Sequence, residues 1–348
     1  MRKLVIFCRS KGWGGTEKNS LLIAQELSKK NYQVYLVSNS DHLFSIAKPN
    51  ENLSLIRMNS GGDLNPVSIW KTYQLIRRLQ PDCVFLTMNK DYWLGGLAAY
   101  LSGKRVVIRL GIERETKQNL KYRLIYGRFI DLVTVNSQVI KDTLLRTTPQ
   151  LTESQLRVIH NGVTIKTKNS TTDSEFKMIG AAGRLTEQKG FDILLNALSQ
   201  LKKSNQQFKV IIAGEGPDEV KLKSHCSELG LNDHVSFPGF LSDMNAFYSQ
   251  LDLFVISSRY EGMASAATEA MAYGIPVVTT NVSGANELLD NGRLGKIVPI
   301  GSAADLAKAI DELLQSNNQN LSQEIIRHIE INYSIDSMIA NYEKALFP

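Results

Sequence analysis

The chain runs twice through one alternation. Short apolar runs, rich in β-branched residues, occur at Leu4–Cys8, Val34–Val37, Cys83–Leu86, Arg105–Leu110, Leu132–Val135 and Arg157–Ile159. A second series follows at Lys177–Ala182, Lys209–Ala213, His234–Phe237, Leu253–Ile256, Pro276–Thr280 and Gly295–Val298. Longer amphipathic stretches separate the runs. Runs that are apolar along their whole length belong to strands buried on both faces, and helices between them supply the cover. The expected fold class is α/β, with two doubly wound, Rossmann-like parallel sheets. The series breaks once, at Val163–Phe176, where VTIKTKNSTTDSEF is polar, aperiodic and rich in Ser, Thr, Asn and Lys, as a linker is. The expected domains are therefore 1–165 and 166–330, with a closing helix over 331–348. Two such domains facing each other would leave a cleft at the C-terminal edges of their sheets, where sheets of this kind bind ligands.

Composition narrows the class. Three scattered cysteines, Cys8, Cys83 and Cys226, suit a reducing compartment rather than a disulfide framework. There is no CxxC and no His/Cys cluster, so no structural zinc is expected. The apolar start, Leu4 to Cys8, is too short for a signal peptide and is interrupted by Arg9. No run approaches the roughly 20 apolar residues of a membrane span. A cytoplasmic place is expected, peripheral to a membrane if attached to one. Charge is uneven: residues 1–165 hold 24 Lys and Arg against 12 Asp and Glu, and the remainder holds 16 against 22. A basic half suits nucleic acid or an anionic membrane surface. The membrane is the candidate partner retained, and no nucleic acid is expected. Arg114–Ile130, RETKQNLKYRLIYGRFI, combines cations with Leu120, Leu124, Ile125, Phe129 and two tyrosines, a pattern that fits either a bilayer-lying helix or a core helix.

Four strand-to-helix turns carry candidate chemistry. In Gly12–Glu17 (GWGGTE), Gly14 and Gly15 let backbone N–H groups approach an anion at a helix N-terminus. The turn is not GxGxxG, and no acidic residue closes the second strand, since Asp41 comes late; an NAD-dependent dehydrogenase is disfavoured. In Gly183–Phe191 (GRLTEQKGF), Arg184 and Lys189 are separated by one loop and can converge on a diphosphate, the arginine as a planar fork and the lysine as a point charge. There is no Asp-x-Asp to hold a divalent metal, so no metal or other cofactor is expected, and two cations with helix N-termini would neutralise developing charge instead. Ala213–Asp218 (AGEGPD) brings Gly214 and Gly216 close together ahead of Pro217, which suits a first helical turn. The last turn runs from Ser258 to Val278. Its loop carries Glu261 and Gly262, and a helix from about Ser265 to Tyr273 stops at Gly274 and Pro276. The N–H groups of Gly262, Met263 and Ala264 would form an anion cradle. Glu261 and Glu269 beside such a cradle make sense as acceptors for sugar and ribose hydroxyls on either side of a phosphate.

With these motifs in order, the chain resembles the retaining glycosyltransferases of family 4, glycosyl transferases group 1, which have the GT-B fold. The resemblance covers nearly the whole length and is sharpest in the G-R-x4-K-G and E-x7-E strings. It implies that Arg184 and Lys189 bind the nucleotide diphosphate, that Glu269 holds the ribose and that Glu261 holds the donor sugar. Gly183, Gly214, Gly216 and Leu241 join the donor-binding set, with backbone N–H groups from Gly262, Met263 and Ala264. Gly14 and Gly15 would approach the diphosphate from the other domain. Asn161-Gly162-Val163 looks like the family's hinge signature, with Thr164 where Asp is common. Two departures stand out. Met263 and Ala264 replace the usual Phe and Pro or Gly. The regions where many members carry a histidine read Thr87-Met88-Asn89-Lys90-Asp91 and Arg109-Leu110-Gly111-Ile112, which makes Asn89 and Arg109 the acceptor-side candidates.

The implied reaction moves a sugar, with retention, from a nucleoside-diphosphate sugar (a UDP-sugar favoured) to a hydroxyl of a glycan or lipid-linked acceptor without a metal. Glu261, Arg184 and Lys189 are the expected catalytic residues. A sugar-nucleotide epimerase would want carboxylate or histidine acid/base pairs in the cleft. A non-catalytic nucleotide-sugar binding protein would hold the donor and transfer nothing.

Overall fold

The computed structural model describes residues 1–10, 12, 14–59, 65–113, 115–166, 176–202, 207–261, 265–316 and 318–348. The chain forms two compact units: Met1–Asn161 with Asp336–Pro348, and Gly162–Ile335.

The first unit holds strands β1 (Lys3–Cys8), β2 (Gln33–Ser38), β3 (Leu53–Arg57), β4 (Cys83–Leu86), β5 (Arg105–Leu110), β6 (Leu132–Val135) and β7 (Leu156–Val158). They form one sheet in the order β3-β2-β1-β4-β5-β6-β7, and every pairing is parallel. The central strands are solvent-free, as their unbroken apolar runs require: Leu4 to Cys8 and Cys83 to Leu86 are all fully buried. Burial pushes the Cys8 thiol up to about 11 and the Cys83 thiol up to about 12. β3 was not among the expected strands. It lies at the sheet edge, its residues after Leu53 are half-buried or exposed, and LSLIR lacks the continuous apolar signal of a central strand.

Arg9, which breaks the first apolar run, is fully buried. Its Nε lies 2.6 Å from Asp91 Oδ1, Asp91 is fully buried too, and Nη1 donates to Thr72 Oγ1 at 2.9 Å. One cation thus ties the end of β1 to the helices Pro66–Leu79 and Asn89–Leu101.

The second unit holds β8 (Lys177–Ala182), β9 (Phe208–Ala213), β10 (Val235–Gly239), β11 (Leu253–Ile256), β12 (Val277–Thr280) and β13 (Gly295–Val298) in the order β10-β9-β8-β11-β12-β13. Again every pairing is parallel. A core cluster is built on helices Phe191–Leu201 and Ala303–Gln315, through Leu194, Leu195, Leu198, Leu306 and Ile310. Another holds Ala267, Ala270 and Met271 of helix Ser265–Met271 with Ile325, Ile329 and Tyr333 of helix Gln319–Tyr333. Strand order reverses between β8 and β11, so the loops leaving these two strands open a crevice at their C-terminal ends.

The expected linker is part of this second unit where it is described. Val163 bridges to Ser334, and the Lys166 N–H donates to Ala272 O; residues 167–175 of the linker lie outside the described residues. The segment 331–348 is not one helix. Helix Gln319–Tyr333 ends, Ser334 forms the bridge, and helix Ile335–Leu346 belongs almost wholly to the first unit, where Tyr342 packs edge-on against Phe85. Among the described residues no helix is long and apolar enough to cross a membrane.

Removing one partner of a buried ion pair strands the other charge, at a cost of about 3–5 kcal/mol. Asp91→Ala should therefore lower the stability of the first unit by about that much. All three tryptophans, Trp13, Trp70 and Trp93, lie in its sequence, so the urea midpoint followed by tryptophan fluorescence reads the loss; an unshifted midpoint would show that the pair contributes nothing.

Candidate functional site

The second unit contains a pocket of about 930 Å³ at the C-terminal ends of its strands. Its wall is made by the turns after β8 (Gly183, Arg184), β9 (Gly214 to Pro217) and β10 (Phe240 to Ser242), with Met244, Tyr248, Ala266 and Glu269. These turns pack backbone to backbone. Gly183 N–H donates to Ala213 O, Leu185 N–H to Glu215 O and Gly214 N–H to Gly239 O. A Cβ on Gly214 would lie 2.0 Å from Gly183 O, and one on Gly216 2.2 Å from Leu185 O. Only glycine permits this approach, which is why the AGEGP turn carries two.

Gly183 opens the way for Lys189. A Cβ there would meet the lysine stem, 3.1 Å from Cε. The Lys189 ammonium pairs with Glu261 Oε1, which also accepts from Ser258 Oγ at 2.8 Å. Lys189 and Glu261 come from the two loops that flank the strand-order reversal, so the topology itself joins the two sequence strings. Arg184, next to Gly183, is exposed, and among the described residues its guanidinium makes no hydrogen bond or ion pair. Glu269 lies in helix Ser265–Met271, two residues shorter than expected, and accepts a hydrogen bond from Tyr248 Oη at 3.0 Å.

The structure thus gathers Arg184, Lys189, Glu261, Glu269, Gly183, Gly214, Gly216 and Leu241 around one pocket or against its wall. Gly262, Met263 and Ala264 lie outside the described residues. The remaining candidates belong to the first unit. Gly14 caps helix Gly15–Lys29, and a Cβ on Gly15 would meet nothing within 4 Å. Asn89 opens its helix and is exposed, with Nδ2 3.5 Å from Tyr122 Oη. Arg109 is 4% exposed and donates from Nη2 to Asn161 Oδ1 at 2.7 Å.

Sequence reasoning missed the strap behind the site. Arg259 makes a two-pronged bond to Asp192, at 2.9 and 2.7 Å, and donates to Glu187 O. Its own N–H reaches Gln188 O, and Ser257 Oγ reaches Lys189 O at 3.0 Å. The loop bearing Glu261 is therefore fastened to the loop bearing Lys189. Both partners were visible as charges, Asp192 just after Gly190-Phe191 and Arg259 two residues before Glu261, but nothing in the spacing paired them. Tyr248 was missed too, because its helix reads as core.

Two family models match in succession: "Glycosyltransferase Family 4" over residues 13–167 and "Glycosyl transferases group 1" over residues 163–329. The chain is a glycosyltransferase of this family. A glycosyltransferase of Haemophilus influenzae is 26% identical to it over 99% of this chain and 100% of its own. A Campylobacter jejuni enzyme named as an N-acetylgalactosaminyltransferase acting on a diphospho-undecaprenol-linked sugar is 24% identical, over 91% of each chain. Among solved structures, Anabaena HepE in complex with UDP superposes with a TM-score of 0.82 at 22% identity, covering 99% of each chain. The glycosyltransferase shares the GT-B fold of that neighbour, with its two Rossmann-like parallel-sheet domains.

The Arg259 guanidinium holds the Asp192 carboxyl below its usual range, chiefly through their hydrogen bonds. A carboxyl lowered in the folded state stabilises the fold above its unfolded value, about 3.9, and loses that contribution as pH falls through the lower folded value. Asp192→Asn should therefore lower Tm by a constant amount between pH 6 and 8, and the gap from wild type should close below about pH 4. Calorimetry across pH checks this; a gap that stays constant down to acid would remove the ion pair as its cause.

Proposed function

We propose that this glycosyltransferase moves a sugar from a nucleoside-diphosphate sugar, with UDP as the favoured nucleotide, to a hydroxyl of a glycan or lipid-linked acceptor, with retention at the anomeric carbon. The observation that carries the reading is the joining of Lys189 and Glu261 across the crevice between β8 and β11, beside the pocket lined by Arg184 and Glu269. On this reading the diphosphate lies along Gly183, with Arg184 and Lys189 taking up the charge that grows as the glycosidic bond breaks. Two cations supply that stabilisation without a metal. Glu261 accepts from hydroxyls of the donor sugar while Lys189 holds it in place, and Glu269 accepts from the ribose. The departing phosphate takes the acceptor's proton. The UDP complex of Anabaena HepE supports the choice of nucleotide, and the lipid-linked substrate in the name of the Campylobacter relative supports the choice of acceptor.

Loss of one donor to a developing oxyanion costs about 100-fold or more in turnover. Lys189→Ala should show that loss in the kcat for transfer from its UDP-sugar, with the fold intact by circular dichroism. An unchanged kcat would remove the central cation from the mechanism.

We also propose that the first unit docks on an anionic membrane surface, where a lipid-linked acceptor would be presented. Residues 115–130 do not form one bilayer-lying helix. Asn119 caps a short helix, Leu120–Leu124, which runs into a π turn at Ile125–Phe129, and Ile125, Tyr126 and Phe129 are core residues. The surface that supports docking is broader. Helix Pro66–Leu79 exposes Val67, Trp70, Lys71, Arg77 and Arg78 and contains no acidic residue. It packs beside helix Asn89–Leu101, which packs in turn on the π turn. Leu101, Leu120, Arg123 and Arg128 are exposed on these neighbours. Trp70 is 58% exposed, and a tryptophan amid cations suits the headgroup level of a bilayer. The protein should float with vesicles containing phosphatidylglycerol and not with pure phosphatidylcholine, and Trp70→Ser with Arg77→Ser and Arg78→Ser should abolish flotation. Equal recovery with both vesicle types, or none with either, would end this part of the proposal.

A further inference from the structure

Glu269 is a carboxylate on a short helix, Ser265–Met271, and three side-chain torsions separate its oxygens from the backbone. A group that must meet a ribose in one orientation needs something to stop that rotation. Tyr248, a buried side chain in the pocket wall, reaches it. Its ring is 2% exposed and packs among Phe247, Phe254 and Tyr273, at centroid separations of 5.1, 5.8 and 5.6 Å. A ring so enclosed cannot swing, so its hydroxyl points at a fixed place. Burial, reinforced by the Glu269 charge, raises the Tyr248 phenol far above its ordinary value. The hydroxyl therefore stays protonated and remains a donor throughout the physiological range.

The same tyrosine is joined to another part of the pocket wall. It belongs to helix Met244–Ser249, whose start is capped by Asp243 accepting from the N–H groups of Asn245 and Ala246. The residues leading into that helix, Phe240 to Ser242, and Met244 itself also line the pocket. Tyr273 adds a second tie to this helix, donating to Asn245 Oδ1 at 2.8 Å, and does not touch Glu269 in any hydrogen bond described. The two buried tyrosine hydroxyls thus have separate targets, one in the site and one in the scaffold.

We propose that Tyr248 is a positioning residue for nucleotide recognition: its hydroxyl fixes the Glu269 carboxylate and so sets how strongly the enzyme distinguishes a ribose from a sugar lacking hydroxyls. The proposal rests on the reading of Glu269 as the ribose partner, and the experiment separates the two. Dissociation constants are measured by calorimetry for UDP and GDP and for their 2′,3′-dideoxy forms, on wild type, Glu269→Gln, Tyr248→Phe and Tyr273→Phe. Hydrogen bonds to a charged group are worth about 1.5–3 kcal/mol, so wild type should prefer the ribonucleotide by about tenfold or more. Glu269→Gln should lose most of that preference. Tyr248→Phe keeps every ring contact and deletes one hydroxyl; it should lower the ratio by about threefold to tenfold, the worth of one net hydrogen bond. Tyr273→Phe, which removes a hydroxyl from the same aromatic cluster, should leave the ratio as in wild type. A wild-type or Glu269→Gln enzyme without the expected behaviour would remove the ribose role of Glu269. A normal Glu269→Gln result with an unchanged ratio in Tyr248→Phe, or an equal drop in Tyr273→Phe, would overturn the role of Tyr248.

Discussion

The site of this glycosyltransferase depends on how close its backbone segments can come. Three turns leave β8, β9 and β11 within a few ångströms of one another. Gly214 lies on Gly183, Gly216 on Leu185 and Gly190 on Ser257, each so near that a Cβ would fall 2.0–2.2 Å from a carbonyl oxygen. No side chain stands between these loops, so the groups they carry meet directly. Lys189 reaches Glu261 because Gly183 leaves room for its stem and Gly190 lets its loop lie against β11. A Cβ at Gly190 would run into Ser257 O, and the loops would have to part, with the cation and the carboxylate they carry.

Much of this was legible before any coordinates. The strands of the second unit are continuous apolar runs, and the turns that follow them carry the glycines. A doubly wound order brings the loops after β8 and β11 together, so two strings about 70 residues apart in sequence (Gly183 onward and Glu261 onward) become neighbours. What was not legible shares a physical cause. Tyr248 and Tyr333 look alike in sequence, as aromatics at helical spacing, and both are buried. That one of them aims its hydroxyl at Glu269 follows from packing in three dimensions and leaves no periodic trace. β3 escaped notice because an edge strand needs only one apolar face and here barely has that. Arg9 looked like an interruption because a charge within an apolar run says nothing about a carboxylate 82 residues further on.

The segment at 120–129 shows the limit of reading amphipathicity. Its apolar residues suited a bilayer and a core equally well, and burial of Ile125, Tyr126 and Phe129 decides for the core. Arg123 and Arg128 of the same segment remain exposed. The exposed residues of the proposed docking surface come from several elements, so no single window of the sequence contains it.

The two carboxylates, Glu269 in the pocket wall and Glu261 beside the pocket, are held by partners of different kinds, and this has consequences for what each can do. Glu261 is bound by an ammonium and a serine hydroxyl. Its charge is offset locally, and on the proposed reading a diphosphate arriving at Gly183 would draw on the same ammonium, which would couple donor binding to the state of Glu261. Glu269 is bound by a neutral, buried phenol, which directs the carboxylate without cancelling its charge. On the proposed reading, one site would hold phosphate and sugars side by side, with the cation-held carboxylate where negative charge must be shared and the tyrosine-held carboxylate where neutral hydroxyls would lie. Exchanging those partners would place an unshielded carboxylate against the diphosphate, which is the arrangement that the Lys189 pairing avoids.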